Sequence, residues 1–131
     1  MTQSRNTSAA SGKVAAVTDE NAVTEARSVD GPVLEVAIID VRDGTQEQFI
    51  DAYRGARSIL AETEGLRSVR MTHGVERPTR FVLLVEWDSV DAHRRNFRET
   101  ERWERWRAAI GPFFAQPPVV EHYTDVDEVQ A

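Results

Sequence analysis

The chain holds three histidines and no cysteine. Imidazole is therefore its means of moving a proton near neutral pH, and disulfides, thiolate metal sites and cysteine nucleophiles are excluded. His93 stands one helical turn before Phe97, next to Asn96 in a run of helical spacing. It suits either a pocket or a helix-to-sheet hydrogen bond. His122 lies in the strand-like stretch VVEHYTDV and shares a face with Val120 and Thr124, which suits a pocket or a plain place in the last strand. His73 alternates with Met71 and Val75, the pattern of a satisfied buried imidazole. None has the spacing of a metal site, and no metal or cofactor is expected. Tyr53 falls on the inward stripe of a helix, where it can donate a proton or fill space. Trp103 and Trp106 can wall a planar substrate or pack as core. The arginines 94, 95, 98, 102 and 105 alternate with Glu99, Glu101 and Glu104, which reads as a solvated face of paired charges.

These residues are positioned by a short series of elements. Phe81 to Trp87 is almost continuously apolar and β-branched or aromatic, so it reads as a strand buried on both faces. Val33 to Val41 reads the same way. Asp43-Gly44 makes a turn, and Thr45 with Gln48 forms a capping box opening a helix whose stripe is Phe49, Tyr53, Ala56 and Leu60. Gly65 ends that helix in the C′ position. Leu66 to Glu76 is a second strand, turned into the central one by residues 76–79. Asp88 or Ser89 caps a second helical region. Because its apolar side chains would drift around one straight helix, it breaks near Arg98 to Thr100, and the two helices enclose a small cavity against the sheet. Pro117-Pro118 leads into an edge strand over 119–126. The order β-α-β-β-α-β is the ferredoxin-like split motif, an α+β fold with one four-stranded antiparallel sheet and helices on one face. A sheet apolar on both sides needs a second cover, most simply the sheet of a second copy, so a homodimer through the sheet face is expected.

Composition narrows the function. At 131 residues there is room for one domain, residues 31–131, behind a polar tail over 1–30 that cannot bury enough area to order itself. The net charge of −6 argues against nucleic acid or an anionic membrane as partner. Arginine outnumbers lysine fifteen to one, which suits bidentate carboxylate contacts and equally a GC-rich genome. No apolar run approaches the length of a membrane span and no signal core opens the chain, so a cytoplasmic location is expected.

The run LLVEWDSVDAH with Asn96-Phe97, the later GPFF and VEHY segments, Phe49 with Tyr53, and the Gly65-Leu66 break resemble the antibiotic biosynthesis monooxygenase family. The resemblance covers about Val33 to Val126. It implies a dimeric α+β barrel with one pocket per subunit between sheet and helices. It also implies relatives that include cofactor-free oxygenases of quinol-type and polycyclic aromatic compounds, and a haem-degrading branch. The residues that branch would need are absent: Ala37 stands for its strand asparagine, Asn96 for its helical tryptophan, and Trp106 or Arg107 for its histidine ligand. The carry-over makes Asn96 a candidate pocket donor; with His93 and His122, read from their positions, it forms the candidate catalytic set, and Tyr53, His73, Trp103 and Trp106 are the candidate substrate contacts. The reading is a cofactor-independent monooxygenase of a small aromatic, quinol-type or polyketide-derived ligand; the alternative is a ligand-binding or partner-docking module without turnover. A hollow lined by Asn96, a histidine and ring carbons would favour the first, and a hollow filled by Trp103 and Trp106 the second.

Overall fold

The computed structural model describes residues 26–129. Four strands, β1 (Val33–Asp40), β2 (Leu66–His73), β3 (Arg80–Trp87) and β4 (Val119–Tyr123), form one antiparallel sheet in the order β2-β3-β1-β4. One face carries α1 (Gln46–Ala61), the short α2 (Val90–His93), a π-helical turn over Arg94–Arg98, and α3 (Glu101–Ile110). The ferredoxin-like order expected from the sequence is the observed one. Most of the tail lies outside the described residues. Of its last few residues, Val29 packs against the core and Arg27 Nη2 donates to Thr124 Oγ1 at 2.5 Å.

Alternation along the two central strands decides what faces the helices. Val33, Glu35, Ala37 and Ile39 of β1, with Phe81, Leu83, Val85 and Trp87 of β3, are buried under the helical layer. Phe49, Tyr53, Ala56 and Leu60 of α1 close over them, followed by Phe97, Trp106 and Ile110. Leu34, Val36, Ile38, Val82 and Leu84 point to the other face and remain half-buried, with Val119 and Tyr123 of β4 exposed beside them.

Several local details differ from the expectation. Thr45 and Gln48 make no capping box. The Thr45 hydroxyl donates to Arg42 O at 2.6 Å, so the turn takes the Thr45 side chain that the cap would have used, and the neighbouring Gln46 Oε1 accepts the Gly44 N–H at 2.8 Å. Helix α1 stops at Ala61, too early for Gly65 to be its C′ residue. Gly65 has φ +91° and passes so close to α2 that a Cβ there would lie 2.7 Å from Ala92 Cβ. Both demands exclude a side chain. Strand β2 ends at His73 and β4 at Tyr123, each shorter than the apolar patterning suggests. The break in the second helical region is present. Ser89 caps α2 by accepting from Ala92 N at 3.0 Å, and Thr100 caps α3 by accepting from Arg102 N at 3.2 Å, with the π turn between.

Candidate functional site

Glu35 is the one carboxylate on the buried face of β1, 6% exposed. Strand pairing sets it opposite Val85 of β3 on one side and His122 of β4 on the other. Helix α2 then drops His93, 3% exposed, onto the same spot. The result is a chain of polar groups crossing from the core to the surface. Trp87 Nε1 donates to Glu35 Oε1 at 2.9 Å, His93 Nε2 lies 3.4 Å from that oxygen, and His93 Nδ1 lies 2.8 Å from His122 Nε2. The Trp87 ring is stacked on His93 at 4.8 Å and fixes the plane of the imidazole. His122 is exposed, and its Nδ1 makes no hydrogen bond among the described residues.

The 3.4 Å contact has the geometry of an ion pair, but burial opposes charge on both partners. Loss of water raises Glu35 from its ordinary 4.5 to about 7, against smaller opposing effects of the Trp87 hydrogen bond and the Arg98 charge. Loss of water, then the charges of His122 and Arg98, lowers His93 to about 3. His122 is lowered as well, by burial of its inner edge and by Arg98. Around pH 6 the arrangement is thus a carboxylic acid facing the neutral imidazole of His93, with His122 biased toward its neutral form. Its proton order follows from valence, since each neutral imidazole carries one N–H. With Glu35 protonated, its O–H faces His93 Nε2, His93 Nδ1–H donates to His122 Nε2, and His122 Nδ1–H points out. With Glu35 ionised, His93 Nε2–H faces the carboxylate, His122 Nε2–H donates to His93 Nδ1, and His122 Nδ1 becomes a bare lone pair. A proton taken up at the surface is delivered to the buried carboxylate in two short transfers, and no imidazolium has to persist. The three side chains run in series and do not converge on a point. Among the described residues no group of three or more His, Cys, Asp or Glu could hold a metal ion.

The remaining sequence candidates are dispersed. Asn96 is half-buried and its amide donates to Glu64 O at 2.8 Å, so it clamps the loop before Gly65 to the π turn and one of its two N–H donors is occupied. Trp106 is core, 4% exposed, set edge-on against Tyr53 and Phe97. It fills the space where a cavity between helices and sheet was expected. Trp103 is half-buried, with the Arg98 guanidinium 4.3 Å over its ring. His73 is exposed, not buried. Edge strand β2 carries it beyond the helical layer, where it stacks on Phe81 at 4.2 Å and donates from Nε2 to Pro78 O at 2.7 Å. Tyr53 and His73 meet along a separate cleft between α1 and β2. Sequence reasoning missed Glu35. Its signal was present: the first strand alternates Val33, Glu35, Ala37, Ile39, and a carboxylate on an otherwise apolar face is the observation that asks for a reason.

Residues 32–109 match the family model described as antibiotic biosynthesis monooxygenase. An uncharacterised Bacillus subtilis protein, YczJ, is 31% identical over 94 residues, which is 72% of this chain and 99% of that one. A 42.8 kDa protein in the whiE locus of Streptomyces coelicolor is 33% identical over 66% of this chain, which corresponds to 22% of its own length. Among solved structures, a candidate antibiotic biosynthesis monooxygenase of Bordetella bronchiseptica is 33% identical with a TM-score of 0.71, over 74% of this chain and 99% of that one. SnoaB of Streptomyces nogalater, a cofactor-independent oxygenase, shares the fold at 15% identity and a TM-score of 0.66, over 77% of this chain and 99% of its own. No helix among the described residues is long and apolar enough to cross a membrane.

Proposed function

The chain belongs to the antibiotic biosynthesis monooxygenase family, and on that premise we propose that it is a cofactor-independent monooxygenase whose base is the Glu35–His93–His122 chain. The observation that supports this reading is the series of contacts from a buried carboxyl to an exposed imidazole, 3.4 Å from Glu35 to His93 and 2.8 Å from His93 to His122. The substrate class is a small aromatic with an acidic C–H or phenolic O–H, such as an anthrone. His122 Nδ1 takes a proton and the chain passes it to Glu35. The substrate anion gives an electron to dioxygen and the two recombine at carbon. The CH2 group becomes a carbonyl, with one oxygen atom retained and the other leaving as water, so no external reductant is required. Arg98 acts on the charge of His122, His93 and Glu35 alike and lies over Trp103. At the mouth of the chain it offers a cation for the developing oxyanion and a ring for stacking.

The half-buried outer sheet face, Leu34, Val36, Ile38, Val82 and Leu84, supports a homodimer formed by covering it with a second copy. The second reading, ligand binding without turnover, is favoured by the way Trp106 fills the interior. Oxygen uptake with a panel of hydroquinones and anthrones separates the two. The oxygenase reading requires uptake by the native chain that rises as pH passes through about 7 and is lost in Glu35→Gln and His122→Ala. Uptake that survives both substitutions would remove this base from the mechanism. Ligand binding with no uptake by the native chain would establish the second reading.

A further inference from the structure

The cleft between α1 and β2 lies at the sheet edge opposite β4, and the base chain does not reach it. Its volume is about 420 Å³, within the range of pockets that hold small organic ligands. Ile50, Val69 and Met71 give it an apolar floor, and the exposed His73 ring, stacked face to face over the buried Phe81, adds a flat surface. Arg54 and Arg57, one turn of α1 apart in exposed positions, stand along its rim. Neither forms an ion pair or hydrogen bond among the described residues, and the same holds for Arg70 of β2, which also lines the cleft. Tyr53 is 9% exposed, lines the same cleft, and its hydroxyl has no hydrogen-bond partner among the described residues. A buried hydroxyl and two guanidiniums without acceptors, set around a flat apolar floor, form a donor array that lacks its acceptor.

We infer that this cleft is a binding site, separate from the base chain, for a flat aromatic acid whose ring lies on His73 and Met71 and whose carboxylate is held by Arg54, Arg57 and the Tyr53 hydroxyl. The carboxylate supplies lone pairs for all three donors, and the ring covers the floor. An extended acidic peptide pairing with the free edge of β2 would satisfy the charges too, but it would leave the floor under α1 unfilled.

Titration calorimetry with 2-naphthoate and with the uncharged 2-naphthalenemethanol tests this without any turnover, because neither compound is a quinol. The expected result is one naphthoate per chain, bound at least tenfold more tightly than the alcohol and less tightly as salt is raised. Arg54→Gln with Arg57→Gln should erase the difference between the two compounds, and Tyr53→Phe should weaken naphthoate alone, both with unchanged circular dichroism. Equal affinity for acid and alcohol would overturn the proposal. So would naphthoate binding unaffected by the arginine pair, or binding of an acidic decapeptide in its place. A chain inactive in oxygen uptake that still binds naphthoate would refute the oxygenase reading and leave this site standing.

Discussion

The two ends of the helical layer handle polar groups in opposite ways. At the β1/β4 end, Glu35 and His93 are buried deeply enough that both are driven toward their neutral forms, and each is in contact with a fixed partner. At the α1/β2 end, the cations Arg54 and Arg57 stay in water, fully charged, without partners among the described residues. Burial makes a titratable group sensitive to its neighbours, and here it brings Glu35 to about 7, near the working pH, while it carries His93 well below it. Exposure keeps a charge constant and ready for a partner that has not yet arrived. The first arrangement suits proton transfer and the second suits recognition, and neither could take over the other's task without changing its depth.

The largest effect that can break this comparison is on turnover. His93→Ala interrupts the path between Glu35 and the surface and should lower oxygen uptake by a factor of roughly 100 or more, while Asn96→Ala, which loosens only the Glu64 loop, should cost far less. Comparable losses in the two would mean that the chain of imidazoles is not the base. Next comes Trp106→Ala. Trp106 packs on Tyr53 and Phe97 midway between the two ends, so its removal should cost about 3–5 kcal/mol in urea unfolding. A loss under about 1 kcal/mol would show the centre of the layer to be loosely packed.

A pH-dependent effect of similar kind sharpens the account of burial. The folded chain holds the Glu35 proton up to about pH 7 and the unfolded chain releases it near 4.5. At Glu35 the unfolded state therefore binds fewer protons across that window, so the stability this side chain contributes falls as pH rises through it, while His93, held neutral in the fold, contributes in the opposite direction below its ordinary 6.5. By pH 8 the loss is on the order of 3 kcal/mol. Glu35→Gln retains an oxygen for the Trp87 N–H and has no proton to lose, so its stability relative to the native chain should be higher at pH 8 than at pH 4. A difference between the two proteins that does not change with pH would mean that Glu35 has the same proton affinity in the folded and the unfolded chain. The smallest effect belongs to the other end. Arg54→Gln with Arg57→Gln, without ligand, should move the unfolding free energy by no more than about 0.5 kcal/mol, because neither guanidinium has a bond to lose.

Much of the fold was legible because local patterns and tertiary demands agree. The β-α-β-β-α-β order, the stripe of α1, the edge position of β4 and the break capped by Thr100 all follow from periodicity and cap residues. The site was less so, for physical reasons particular to each residue. His93 and His122 are 29 positions apart and meet only because β4 returns beside β1, a fact of topology that neither local stretch records. Glu35 was passed over because strand one reads as apolar on both faces, although its period-two neighbours put it inside. His73 alternates with apolar residues as a buried side chain would, but the helical layer covers Val69 and Met71 of β2 only in part and leaves His73 exposed. Asn96 has the right composition for a pocket donor and a nearer acceptor, the Glu64 carbonyl, takes its N–H. Thr45 failed as a cap in the same way, with Arg42 O closer to hand.

Trp87 makes the protonation of the site visible from outside. Its indole N–H is bonded to the carboxyl of Glu35 while its ring lies flat on His93, so the negative charge that appears on Glu35 acts directly on the excited state of the fluorophore. Emission from the native chain should carry an inflection near neutrality that is missing in Glu35→Gln, the constant light of Trp103 and Trp106 subtracting out. The protein thus contains its own indicator dye, placed where the proton is stored.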